Sequence, residues 1–416
     1  MNFPAPKSQR SPACQPSQPI KLLYITTIPG TLYFHLGQIG YMRQQGFEIH
    51  ALSSPGALPE QLTGDNAIAL HQVNMPRRIT PWQDLIAIVQ LWRCIRAIKP
   101  DLVHASTPKG GLLGTIAAAL AGVPARLYQM RGLPMMTATG WKYGLLWLSE
   151  WVACHLAHRV LCVSHSLRGV AIAKHLVPAD QITVLLGGSS NGVDALKRFN
   201  PSRFSPSTRQ TIRQQYGIPE DAIVMGYVGR VVQDKGIREL VQAWQILRDR
   251  YPNLHLLMVG GFEPQDPISE EVNAALHQDD RIHLTDEVQD TAPFYTAMDL
   301  LTLPTYREGF PNVLLEAASM QLPIVATAIP GCIDAVKEQV TGTLVPTQDG
   351  EALAQALQQY LESPQLRLQH GQAGRDRILQ EFNQEALWKA LHQEYQHLLA
   401  QQGSLFAQSG ALPAQM

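Results

Sequence analysis

Two glutamates eight positions apart, Glu308 and Glu316, and two cations five positions apart, Arg230 and Lys235, are the residues whose types and spacing could do chemistry. The glutamates bracket the run Arg-Glu-Gly-Phe-Pro-Asn-Val-Leu-Leu-Glu at 307–316. Two carboxylates in one site can work as acid and base, or can accept hydrogen bonds from sugar hydroxyls. Arg grips phosphate bidentately and Lys acts as a point charge, so Arg230 and Lys235 beside a helix start would make a diphosphate clamp without a Walker loop. The competing readings are structural. Glu308 and Arg307 would be an exposed ion pair, Glu316 a helix-surface residue, and the cations ordinary solvated charges. The apolar neighbours of Glu316 (Val313, Leu314, Leu315, Ala317 and Ala318) weigh against a solvated face.

These residues need elements that hold them at one edge. An apolar run at 300–304 reads as a strand, the Gly309-Phe310-Pro311 turn as a loop, 313–321 as a helix and 324–327 as a further strand. Gly309 lets backbone approach a ligand, and the free N–H groups of a helix beginning near Asn312 suit phosphate. Arg230 and Lys235 follow a strand at 222–228 that carries Gly229 past its end, and a helix at 237–250 comes next. Strands at 254–259, 282–284 and 343–345, with helices at 292–298, 351–362, 366–382 and 384–401, complete a parallel α/β domain. The first half has the same grammar. Strands are expected at 21–27, 46–52, 102–104, 125–130, 160–163 and 183–186, and helices at 34–45, 82–98 and 112–121. The residues 107–111 and 164–166 read as a loop and a turn. The first loop, Pro29-Gly30-Thr31, is not a dinucleotide fingerprint. The expected organisation is a tail at 1–19, domains at 20–200 and 216–383 with a linker-like polar stretch at 197–213, a helix at 384–402 and a tail at 403–416. In open sheets of this kind ligands bind beyond the carboxyl ends of the strands, so the cleft between the domains is the expected site.

Composition is that of a globular chain of 416 residues, 45% hydrophobic and 16% charged. Five cysteines without paired spacing read as reduced thiols of a cytoplasmic protein. No signal-peptide core opens the sequence, and the apolar stretches 110–124 and 143–163 read as buried helices rather than membrane spans. The net charge of −1 hides a split: residues 1–215 hold 21 Lys and Arg against 8 Asp and Glu, a balance of +13. Such a half favours an anionic partner, and Arg77-Arg78 with Trp92, Arg93 and Arg96 suggests peripheral contact with an anionic membrane. The bland reading of 82–99 is an amphipathic helix packed on the sheet. Nucleic acid lacks support, since no aromatic–basic module is present.

The residues just described carry a resemblance. Glu308 to Glu316, within Leu303-Pro304-Thr305-Tyr306-Arg307-Glu308-Gly309-Phe310-Pro311, resembles the Glu-x7-Glu block of retaining glycosyltransferase family 4, and Tyr227-Val228-Gly229-Arg230 with Lys235-Gly236 is similar to its phosphate-binding block. Val103-His104-Ala105-Ser106-Thr107-Pro108-Lys109, Arg131-Gly132-Leu133 and the segment 188–194 resemble members that assemble capsule, exopolysaccharide and other glycans. The resemblance covers roughly 20–400. It implies an α/β GT-B architecture, two Rossmann-like domains with parallel sheets facing a central cleft and the last helix returning to the first domain. It implies transfer, with retention, of a hexosyl or N-acetylhexosaminyl group from a nucleotide sugar, a UDP-sugar favoured, to a lipid-linked or soluble glycan acceptor such as a polyprenyl-diphosphate sugar. By the same resemblance Glu316 takes the ribose, Glu308 the donor sugar, and Arg230 and Lys235 the diphosphate. Gly229, Gly309, Phe310, Pro311, Asn312 and Val313 line the donor. Gly30 and Thr31 approach the diphosphate, although the family's frequent Gly-Gly pair is replaced here by Pro29-Gly30-Thr31. His104, at the end of a strand, is assigned to donor-sugar or acceptor contact, and Lys109 and Arg131 to acceptor phosphate. No Asp-x-Asp occurs in the chain, so no metal and no cofactor beyond the nucleotide sugar is expected. A sugar-nucleotide 2-epimerase of the same fold and a non-enzymatic membrane-surface protein are the rival readings.

Overall fold

The computed structural model describes residues 19–56, 68–76, 78–263 and 266–409, and the side chains up to residue 402. Most of the two expected tails, and Arg77, lie outside the described residues. The chain forms two parallel sheets. The first contains β1 (Ile20–Ile25), β2 (Phe47–Ser53), β3 (Ala69–Gln72), β4 (Leu102–Ser106), β5 (Ala125–Met130), β6 (Arg159–Cys162) and β7 (Ile182–Val184), in the order β3-β2-β1-β4-β5-β6-β7. Its helices are α1 (Leu36–Gln44), α2 (Pro81–Ile98), α3 (Pro108–Leu120), α4 (Gly140–Leu156) and α5 (His165–Ala173).

After α6 (Pro206–Gln215), the second domain alternates β8 (Ile223–Val228), α7 (Ile237–Arg248), β9 (Leu254–Val259), α8 (Glu270–Gln278), β10 (Ile282–Leu284), α9 (Ala292–Tyr295), β11 (Leu300–Leu303), α10 (Asn312–Ser319), β12 (Ile324–Thr327), α11 (Cys332–Ala335) and β13 (Gly342–Val345). Its strand order is β10-β9-β8-β11-β12-β13. Helices α12 (Gly350–Glu362), α13 (Pro364–Glu381) and α14 (Gln384–Ser409) close the chain.

Both sheets are covered on both faces, which is why their central strands read as unbroken apolar runs. Leu22–Ile25 of β1 and all of β9 are buried. The strand order reverses direction between β1 and β4 in the first sheet and between β8 and β11 in the second. These are topological switch points, where loops leave a crevice at the strands' carboxyl ends. The loops that follow β8 and β11 are the two that carry Arg230, Lys235 and Glu308.

Helix α14 leaves the second domain and packs on the first. Its Leu391, Tyr395 and Leu398 are buried in one cluster with Leu22, Tyr24 and Phe47. Arg159 and Glu394 add an ion pair of 2.5 Å, and Trp388 Nε1 donates to Asn191 Oδ1 at 2.7 Å.

Several local expectations change. Residues 107–111 are not a loop: α3 already begins at Pro108, whose fixed φ suits a first helical position. Gly110 and Gly111 belong to the helix because a Cβ there would lie 2.9 Å from Thr27 N and 2.2 Å from the Tyr128 ring. The turn at 164–166 is the start of α5, with Ser164 as its cap. The linker-like stretch contains α6, anchored by buried Arg213. That guanidinium caps the carbonyls of Ala222 and Ala297 and pairs with Asp299 at 3.0 Å. The expected tail from 403 is helical to Ser409. Two elements, β3 and α8, had no counterpart in the sequence reading.

Candidate functional site

The loop after β8 and the loop after β11 are knitted into one unit. Tyr227 Oη donates to the carbonyl of Arg230 at 2.7 Å, and the Tyr306 N–H donates to the Asp234 carbonyl at 2.8 Å. Arg307 pairs with Asp234 at 2.9 Å. Gly236 has φ 69°, and a Cβ there would lie 1.9 Å from the Pro304 carbonyl oxygen. Only glycine suits a left-handed residue pressed this closely against backbone. The knitting places Lys235 Nζ against the Glu308 carboxylate in a largely buried ion pair. Arg230 is exposed and paired with Glu263.

Glu316 lies one turn into α10 and half-buried. Its Oε2 accepts from Tyr295 Oη at 2.7 Å and Thr291 Oγ1 at 3.4 Å. Burial pushes its carboxyl pKa up, against the opposing pull of the Tyr295 hydroxyl and the Arg198 guanidinium. Tyr295, Thr291 and Arg198 were not found from the sequence, because they lie on other elements and carry no motif. Asn312 and Val313 open α10, with Pro311 at its cap.

The tip of the second loop touches the first domain. A Cβ on Gly309 would lie 1.9 Å from the Arg131 carbonyl oxygen. Ser164 Oγ donates to the Gly309 carbonyl at 2.8 Å, and Ser189 Oγ meets Asn312 Oδ1 at 3.0 Å. The Ser166 N–H donates to Asp334 at 3.1 Å, and the Gly331 N–H to Ser166 Oγ at 2.8 Å. Phe310 packs on Phe382, ring centroids 5.6 Å apart, and on the core of the first domain. Gly309 and its neighbours therefore join the domains as well as facing the crevice.

Across the crevice, Gly30 is exposed with nothing near its missing side chain, and Thr31 is buried. Gly229, at the end of β8, has φ 153° and carries the chain into the Arg230 loop. Arg131 stacks over the Phe34 ring at 5.4 Å and donates to Ser190 Oγ at 3.0 Å. Burial pulls its guanidinium down to about 10. It has no carboxylate partner among the described residues. A half-buried cation without a counter-ion is a ready site for an anion.

Two assignments are corrected. His104 does not end its strand at the cleft. It lies within β4, fully buried, with Nδ1 2.5 Å from Tyr395 Oη on α14. Burial and the neighbouring His35 hold it neutral. His35 is likewise buried, bonded to Gln38 Oε1 at 3.0 Å, and burial drives its pKa down to about 3. His104 thus fastens α14 to the sheet. Lys109 is no free acceptor cation. Its Nζ is held by Asp84 Oδ1 at 2.7 Å and Thr80 Oγ1 at 3.2 Å, and it also donates to the Arg78 carbonyl.

The arrangement suits recognition of hydroxyls and phosphates. Glu308 is ion-paired and Glu316 is bound by two hydroxyls, so both are placed as hydrogen-bond acceptors rather than as an acid and a base sharing a proton. Lys235 and Arg230 supply positive charge at the same switch point. Among the described residues no cluster of His, Cys, Asp and Glu stands together as a metal site.

Comparison with known proteins adds to this geometry. A family model described as "Glycosyl transferases group 1" matches residues 222–363, and one described as "Glycosyl transferase 4-like domain" matches 36–188. The chain is 34% identical over 379 residues to a capsular polysaccharide biosynthesis glycosyltransferase, CapM, of Staphylococcus aureus, covering 91% of this chain and 97% of that one. It is 24% identical to the UDP-Gal:alpha-D-GlcNAc-diphosphoundecaprenol alpha-1,3-galactosyltransferase of Escherichia coli, over 88% of this chain and 93% of the relative. Among solved structures, Anabaena HepE in complex with UDP and glucose superposes with a TM-score of 0.75 at 19% identity, over 91% of this chain and all of that one. A glycosyltransferase from Rickettsia africae gives the same score at 18% identity, over 92% and 99%.

Proposed function

The chain belongs to the group 1, family 4-type glycosyltransferases of GT-B fold that serve capsular polysaccharide and lipid-linked sugar synthesis, and from that membership we propose that it moves a hexosyl or N-acetylhexosaminyl group, with retention, from a nucleotide sugar to a glycan acceptor. A UDP-sugar is the favoured donor and a polyprenyl-diphosphate sugar the favoured acceptor. The Lys235–Glu308 pair at the second switch point carries the reading. A sugar diphosphate entering there satisfies both partners better than they satisfy each other: phosphate goes to the ammonium and a sugar hydroxyl to the carboxylate. Glu316 accepts the ribose hydroxyls through its Oε1, which no described group bonds. The free N–H groups at the start of α10 and the exposed Arg230 add to the charge facing the diphosphate. Arg131 is placed to meet an acceptor phosphate.

In the transfer the bond from the anomeric carbon to the diphosphate oxygen breaks, and its electron pair leaves with the nucleoside diphosphate. The acceptor hydroxyl oxygen bonds the same carbon on the face being vacated, and its proton passes to the departing phosphate oxygen. Lys235 and Arg230 stabilise the charge as it develops. They supply the electrostatic role without a metal, so turnover should persist in excess EDTA. The interdomain contacts of Gly309 exclude water from the donor.

The test uses a panel of UDP- and GDP-sugars with a short polyprenyl-diphosphate sugar, and reads the anomeric configuration of the product by NMR. An inverted linkage would remove retention. Conversion of the donor to its C2 epimer without acceptor would replace the whole reading.

A further inference from the structure

Helices α2 and α4 carry an apolar face that the fold does not use. The inner face of α2 is complete: Ala87, Leu91, Ile95 and Ile98 are buried. Yet Trp82, Leu85, Ile86 and Val89, at helical spacing on the opposite side, are all exposed, Trp82 by 81%. On α4, Trp141, Leu145 and Leu148 repeat the pattern, with Trp141 71% exposed. The buried side of α4 is Glu150, Ala153 and Cys154. Both helices pack against α3, so the two stripes lie on one face of the first domain. The stretch 143–163 is therefore not the wholly buried helix that the sequence suggested.

The charges on this face have one sign. Arg93 and Arg96 continue the α2 stripe, and Arg78 and Lys142 flank it, all exposed and without an ion pair among the described residues. The two carboxylates of α2 and α4 are already engaged: Asp84 by Lys109 at 2.7 Å, and Glu150, buried, by Tyr128 Oη at 2.7 Å. Exposed tryptophans, aliphatic residues at helical spacing and unopposed cations match an anionic lipid interface. Among the described residues no helix is long and apolar enough to cross a membrane.

Topology sets the position of this face. The strands are parallel and their carboxyl ends line the crevice, so α2 and α4, each following a strand, begin at that end. The apolar residues occupy the first half of each helix, beside the mouth of the cleft. We propose that this face seats the first domain on an anionic bilayer, the tryptophans at headgroup depth, with the cleft opening along the lipid surface. The value of the docking for catalysis rests on the lipid-linked acceptor proposed above; the docking itself does not.

Full-length protein is floated with vesicles of phosphatidylcholine alone and of phosphatidylcholine mixed with phosphatidylglycerol, with no sugar present. Binding to the mixed vesicles is expected, about tenfold weaker in the double variant Trp82→Ser, Ile86→Ser and about tenfold weaker in Arg93→Glu, Arg96→Glu. Both variants should keep the wild-type Tm and the shift in Tm on adding UDP, which shows that they fold. The proposal is overturned if wild type stays unbound with the mixed vesicles, or if both variants float as it does. It is also overturned if the wild type, unbound to vesicles, forms a dimer that Trp82→Ser, Ile86→Ser abolishes, since the face would then meet a second copy. Failed transfer with intact flotation would sink the reaction reading and leave this one standing.

Discussion

The two switch points occupy equivalent places in similar sheets, and they have been put to opposite uses. At β8/β11 the chain places charge: Lys235, Glu308, Arg230 and, one helix turn away, Glu316. The carboxylates and cations there are paired with one another or with hydroxyls, in contacts that a ligand can exchange. At β1/β4 the corresponding strands carry Tyr24 and His104, and these are sealed against Tyr395 of α14. Neutral, fully buried hydrogen bonds hold that region, and nothing in it exchanges with solvent. Only Arg131 and the first loop reach the crevice from that side. The difference teaches that a shared topology fixes where a site can be, while polarity and burial decide whether it is a site or a joint.

The sharpest way to break this contrast is Lys235→Ala. With its charge gone, kcat should fall about 100- to 1000-fold, measured at saturating donor. Turnover near wild type would show that the charged switch point is not the reacting one. Next in size, Glu316→Ala should raise the donor KM about tenfold or more with less effect on kcat, as expected for one lost hydrogen bond to a charged group, read by donor titration.

The sealed region predicts a pH effect instead. His35 is lowered from 6.5 to about 3, so the unfolded chain takes up the proton first. Its contribution to stability is complete above pH 6.5 and is lost at ~1.4 kcal/mol per pH unit as pH falls toward the folded value. Urea unfolding at neutral and mildly acidic pH should show that loss in wild type and a flatter dependence in His35→Gln. The smallest effect expected is that of Tyr395→Phe, about 1 kcal/mol of stability from the lost hydrogen bond to His104, with an unchanged donor KM. A large change in KM would mean that the joint is part of the site after all.

Much of the donor side was legible because its signals are local. An apolar strand, a glycine, a charged residue and a helix start follow one another within a dozen positions, and strand direction then dictates which end they face. Glu308, Glu316, Arg230 and Lys235 could all be chosen on that basis. His104 could not be placed by the same logic, since its partner Tyr395 lies 291 residues away. Lys109 looked free because Asp84 is on another helix. Gly309 looked like a site for ligand approach, and its nearest neighbour proved to be the Arg131 carbonyl.

The sequence by itself determined two parallel α/β domains, the division of charge between them, and the loops from which a phosphate- and hydroxyl-binding site is built. Periodicity and short-range order are properties of the chain, so they survive without coordinates. Only the tertiary structure decided which polar residues are used up in holding the molecule together, that α14 ties the domains, and that the outer faces of α2 and α4 are left uncovered. Those outcomes depend on pairing and burial between distant segments, and a one-dimensional pattern carries no record of which distant segment arrives.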